Sequence, residues 1–224
     1  MKHQEHMKYL FIGLILMACS CNQQQSAKHN NTAATVTTAK ACRYDQKKIR
    51  CNKLFAFLQQ HPSKQSAALL TNYIADSLIA CWYGTPWDFN GCTLNPGQGK
   101  IACGYFITTV LQDAGLRINR IKMAQCPSSK LIQTMCSNIR TYSNKPMELV
   151  ENDIRKMGTG LYIGGLDYHT GFIYNDGRDV YFIHASFYGA KCVVKEKAIT
   201  AAVLRQSKLK MIGKIDPNQQ DQSL

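Results

Sequence analysis

The apolar positions change their spacing at about residue 159, from helical recurrence before it to alternation and short apolar runs after it. Ile49, Leu54, Phe57 and Leu58, set among Lys, Arg and Gln, predict a helix over 41–60 that His61-Pro62 ends. Ser63 is positioned as the N-cap of a second helix, whose face Ala67, Leu70, Ile74, Leu78 and Ile79 carries it to Cys81 or Trp82. Phe106, Ile107, Val110 and Leu111 predict a third helix stopped at Gly115, and Pro127-Ser128-Ser129 opens another through Leu131, Ile132 and Met135 to about Arg140. A short helix follows over 147–157. Strands are predicted at 161–163, 169–174, 180–184 and 192–194, with Asn175-Asp176-Gly177 as a hairpin turn. Residues 195–205 read as helical and 208–215 as the last strand. Helices first and an antiparallel sheet afterwards make an α+β domain over 41–216, with a polar tail at 217–224.

Between the second and third helices, Gly84, Pro86, Gly91, Pro96, Gly97 and Gly99 break every regular pattern over a long loop, a length usually kept for function. Cys103 stands where that loop becomes a helix. A thiol there feels the positive end of the helix dipole, which favours the nucleophilic thiolate. A base is available in the strand half, where His169 and His184 flank the predicted turn at similar distances and so approach each other across the ladder. In this reading the second imidazole orients the first by accepting from its Nδ1–H. Cysteine nucleophile, histidine base and a polar orienter form the minimum set for acyl transfer through a thioester.

The remaining features fix the setting of that chemistry. Lys2 and Lys8 precede an apolar run over 9–17 that is too short to span a bilayer and leads into Ala18-Cys19, the layout of an export signal over 1–18. Leu16-Met17-Ala18-Cys19 resembles a bacterial lipobox, with Cys19 lipidated and the protein held at the cell envelope. Residues 19–40, rich in Gln, Asn, Ser, Thr and Ala, read as a flexible tether. The net charge of +13 suits a polyanionic wall or membrane surface. Its Lys and Arg are scattered rather than striped with aromatics, so nucleic acid is not an expected partner.

There are ten cysteines. Setting aside Cys19 and Cys103 leaves Cys21, Cys42, Cys51, Cys81, Cys92, Cys126, Cys136 and Cys192, a set that an exported chain is expected to pair in disulfides of unspecified connectivity. No paired C-x-x-C spacing occurs, and neither a metal nor a cofactor is expected.

Several motifs together resemble the NlpC-type cell-wall cysteine peptidases, a bacterial branch of the papain-like fold. Tyr83-Gly84-Thr85-Pro86-Trp87-Asp88-Phe89-Asn90-Gly91 is similar to the family's Leu-Gly-Thr-Pro-Tyr-x-Tyr-Gly-Gly segment, and Ala102-Cys103-Gly104-Tyr105-Phe106 stands where the family has Asp-Cys-Ser-Gly-Phe. Residues 158–163 resemble its Gly-Asp-Leu-Val-Phe-Phe strand, and His169-Thr170-Gly171-Phe172-Ile173-Tyr174 its His-Val-Gly-Ile-Tyr. The likeness spans about 83–186. It implies a monomeric hydrolase of amide bonds in peptidoglycan peptides, with Cys103 as nucleophile, His169 as base and His184 as third polar residue. Trp87 occupies the position of the family's oxyanion-assisting tyrosine. Gln98 is similar to the glutamine ahead of the cysteine in papain, at a different spacing. Tyr83, Asp88 and Gly104 complete the candidate oxyanion and substrate-binding set. Ala102, Gly104 and Trp87 depart from the family pattern, which keeps two alternatives open: an inactive relative that binds amide ligands, and a disulfide-stapled structural or inhibitory lipoprotein.

Overall fold

A computed structural model describes residues 31–219, with side chains from Arg43 onward. The export signal and Cys19 therefore lie outside the described residues. Helix α1 spans Asn31–Gln60, so it starts ten residues earlier than the apolar pattern predicts and takes in the second half of the stretch read as a tether. No Gly or Pro interrupts 31–40, and adding residues to an existing helix is far easier than nucleating one. Helix α2 covers Lys64–Tyr73, with Ser63 as its N-cap accepting from the Ser66 N–H at 3.0 Å. It continues through a π turn and a 3-10 turn to Trp82.

Helix α3, Cys103–Asp113, is the axis of the helical layer. Its C-terminal end is tied to α1 by Tyr44, whose hydroxyl donates to Asp113 at 2.8 Å and accepts from the buried Trp82 indole N–H at 2.9 Å. Asn52 adds a bond to the Asp113 carbonyl. Helix α4, Arg120–Gln125, forms in the stretch between Gly115 and Pro127, for which the apolar pattern predicts no element. Helix α5 covers only Ser128–Met135 and gives way to a strand, β1, at Cys136–Ser143. The helical reading as far as Arg140 is thus corrected: the chain is already extended at Cys136, Asn138 takes φ 48° at a bulge within β1, and β1 pairs with a strand far along the chain. Helix α6 is Met147–Met157.

Five further strands follow: β2 (Gly160–Leu166), β3 (Thr170–Asn175), β4 (Val180–Ala185), β5 (Val193–Lys197) and β6 (Leu209–Ile215). The sheet is antiparallel with order β1-β6-β2-β3-β4-β5. A short helix α7, Ala202–Gln206, is all that remains of the helix predicted over 195–205. Residues 195–197 are instead held as strand by pairing with β4. The hairpin turn forms as expected, with the Asp176 carboxylate accepting from the N–H groups of Arg178 and Asp179 at 2.8 Å each.

The sheet separates two apolar clusters. On one face Phe172, Ile163, Ile183 and Val193 pack against α1, α2, α3 and α5; on the other Ile173, Phe182 and Ile212 pack against α6 and the α7 region. The seven cysteines with described side chains, Cys51, Cys81, Cys92, Cys103, Cys126, Cys136 and Cys192, form no disulfide, which corrects the disulfide expectation for these residues. Cys51 and Cys136 are buried and serve as small apolar core residues. Cys21 and Cys42 lie outside the described side chains.

Candidate active site

A cleft of about 910 Å³ opens where β2 turns into β3. Cys103 and Gly104 form one wall, His169 and Thr170 the sheet end, Val203 and Leu209 the far side, and Tyr168, Phe187 and Tyr188 an aromatic rim. Tyr168 is 97% exposed and Tyr188 68%, so the rim has apolar area free for an incoming ligand.

Cys103 is the first residue of α3, and its N-cap, Ala102, supplies no side-chain hydrogen bond. The first-turn N–H groups therefore stay available. Burial pushes the Cys103 thiol up, while hydrogen bonding from the backbone at Thr170, Gly104 and Cys103 pulls it down by a smaller amount. Gly104 belongs to the site through its smallness. A Cβ there would lie 2.3 Å from the Ala124 carbonyl oxygen, so the close seating of α4 on α3 requires glycine.

His169 is held by its backbone surroundings. Its carbonyl accepts from the Leu166 N–H at 2.8 Å, and the Asp167 carboxylate accepts from the N–H groups of Lys208 and Leu209 at 2.7 and 3.0 Å, tying the turn to the start of β6. The Lys208 N–H bond is the main reason that the Asp167 carboxyl sits below its ordinary range. His184 sits on β4, and the register places it opposite Gly171, two residues along from His169 on the same face. The two rings approach edge to face at 80°, with His169 Nε2 2.7 Å from His184 Nδ1. The expected contact through Nδ1 of the first ring is corrected: His169 meets His184 through Nε2, so Nδ1 takes no part in that contact. His184 stacks on Phe182 at 4.3 Å, and its Nε2 lies 2.9 Å from Glu196 Oε1.

Glu196 is the site residue that sequence reasoning missed. Its signal is weak, since Lys195-Glu196-Lys197 has the composition of an exposed helix. A strand reading would have put Glu196 on the same face as Val194, beside His184.

The other sequence candidates are not brought to the thiol. Trp87 packs against Phe187 at 6.1 Å, and Phe187 in turn stands 5.2 Å from His169, so the indole backs the rim and is not an oxyanion donor. Gln98 is exposed on the loop, Asp88 is paired with Lys100 at 3.0 Å, and Tyr83 packs on the helical core beside Asp76. The reason is shared. The loop ahead of Cys103 bonds β5 and itself, through Gly84 N–H to Val193 O, Val193 N–H to Thr85 O and Trp87 N–H to Lys191 O, and so covers the sheet's outer strand. Its function is bracing, and none of its residues lines the cleft.

Burial, reinforced by the neighbouring His184, lowers His169 to about 3, and burial lowers His184 to about 4. Both rings are neutral in the folded state at neutral pH. On unfolding below about pH 6.5 each takes up a proton, so the unfolded state binds more protons between about pH 6.5 and pH 4, and stability is lost as pH falls through that window. The Glu196 carboxyl, raised by burial, acts with the opposite sign and offsets part of the loss. Thermal unfolding followed by circular dichroism should show Tm falling between pH 7 and pH 4, with a shallower fall in His169→Gln/His184→Gln. A flat wild-type profile would contradict a buried neutral pair.

Among the described residues, no group of three or more His, Cys, Asp or Glu is arranged to hold a metal ion, and no helix is long and apolar enough to cross a membrane. No family model, curated protein or solved structure matches the chain.

Proposed function

We propose that this protein is a cysteine peptidase or amidase of papain-like, NlpC-type fold, lipid-anchored through Cys19 at the bacterial cell envelope and hydrolysing amide bonds of peptidoglycan peptides. The observation that carries the reading is one cleft lined by a thiol at a helix start and by an imidazole whose far nitrogen is held by a second imidazole at 2.7 Å. With both rings neutral and the thiol raised by burial, the resting state is thiol plus imidazole. Attack on a carbonyl carbon therefore begins with proton transfer from Sγ to His169 Nδ1. The donors available to the tetrahedral oxyanion are the uncapped backbone N–H groups at the start of α3. Collapse expels the amine with the proton from His169, leaving a thioester that water hydrolyses with the same imidazole as base. The glycine at 104, where the family carries serine, follows from the packing of α4 and does not remove a reacting group.

The test uses the full chain and muropeptides from digested peptidoglycan. New free amino groups and a released peptide of defined mass are expected, together with iodoacetamide labelling of Cys103 that His169→Ala slows. No released amine, with Cys103 labelling unchanged in His169→Ala, would sink the reading.

A further inference from the structure

We infer that Glu196 is a positioning residue that sets the tautomers of both imidazoles, so that the site is a relay of four groups, Cys103, His169, His184 and Glu196. A carboxylate only accepts hydrogen bonds, so at 2.9 Å His184 Nε2 must be the donor. A neutral imidazole carries one N–H, which leaves His184 Nδ1 with a lone pair. At 2.7 Å that lone pair must be met by a proton on His169 Nε2, and His169 Nδ1 is then unprotonated and able to take the proton of the thiol. Reversing the far end reverses the near end. If His184 carried its proton on Nδ1, His169 would carry its own on Nδ1 and would face the thiol as a donor, unable to act as a base.

The surroundings leave this role to Glu196 alone among the nearby charges. Lys195 and Lys197 flank it in sequence but point to the opposite face, where Lys195 lies over the Tyr181 ring at 4.0 Å and Lys197 pairs with Asp179 at 3.1 Å. Glu196 sits opposite Phe182, whose ring supports His184 from below, so pairing and stacking together fix the angle at which His184 meets the carboxylate. Glu196 does not line the cleft, and its effect on a ligand must pass through the rings.

The consequence for rate rests on the proposed hydrolase; the tautomer assignment does not. The experiment is therefore nitrogen-15 NMR of the histidine rings in the full chain and in Glu196→Gln, with Cys103 alkylation and amide hydrolysis measured alongside. The glutamine keeps the shape of a side chain that is 40% exposed, and its NH2 can donate to His184 Nε2. In the parent protein, Nε2 of both rings should be protonated. In Glu196→Gln, whose amide can accept from His184 Nε2 as well as donate to it, both tautomers should be present, with Cys103 alkylation and kcat reduced roughly twofold or more and KM unchanged. Glu196→Ala, which leaves water in place of the carboxylate, should give a mixture of the two tautomers. Ring nitrogens in Glu196→Ala that match the parent would overturn the assignment. If both variants mix the tautomers but the parent releases no amine from any muropeptide, the relay stands and the hydrolase reading fails.

Discussion

Cys103→Ala should abolish amide hydrolysis, and His169→Ala should reduce kcat/KM by about 10³-fold or more, whereas His184→Ala should cost less, on the order of 10–10²-fold. The ranking follows from what each loss leaves behind. Without Cys103 Sγ no thioester forms. Without His169 the thiol, raised by its burial, has no group placed to take its proton, because His184 is turned toward His169 Nε2 and Glu196. Without His184 the base remains, and water entering the space can bond His169 Nε2, although it cannot impose one tautomer. Single-turnover release of amine from a defined muropeptide measures all three. Equal losses for His169→Ala and His184→Ala would count against separate roles for the two rings. Full activity in Cys103→Ala would dismiss the nucleophile.

The parts of this site that could be read from sequence are those fixed by local rules. A loop of Gly and Pro giving way to apolar positions at helical spacing located Cys103 at a helix start, and the hairpin signal at 175–177 brought His169 and His184 together, because a short turn fixes register. What could not be read depends on distant pairing. Residues 195–197 have helix-forming side chains and become strand only because β4 offers its free edge, so Glu196 stayed hidden inside a predicted helix. The bulged strand β1 was lost in the same way, its partner β6 lying far along the chain. The loop over 84–101 misled for a different reason. Glycine and proline mark irregular backbone whether a loop binds ligand or braces a sheet edge. Gly91 illustrates the second case, since a Cβ there would fall 2.5 Å from the Ile101 nitrogen. Cysteine count also pointed the wrong way, because a thiol packs in a core as readily as a methyl-sized apolar group, as Cys51 and Cys136 do.

Gly171→Ala should damage fold and site together, lowering stability by about 1–3 kcal/mol and activity by at least as much as His184→Ala. Gly171 lies on β3 opposite His184, and a Cβ built on it falls 2.6 Å from Phe182 Cε2 and 2.8 Å from His184 Cβ. Neither neighbour can retreat cheaply. Phe182 is fully buried in the second apolar cluster, and the Cβ of His184 moves only with the β4 backbone. The extra methyl must therefore push β4 away from β3 or tilt the His184 ring, and either displacement lengthens the 2.7 Å contact that orients His169. Gly164→Ala is the matched control. Its Cβ would meet Ile173 Cδ1 at 2.9 Å, the far end of a side chain that can change rotamer, so it should cost less than Gly171→Ala and leave the imidazole pair intact. Thermal unfolding and kcat measured on both variants decide the matter. If the two substitutions cost the same in Tm, or if Gly171→Ala retains parental kcat, the space beside His184 is not what sets the geometry of the base.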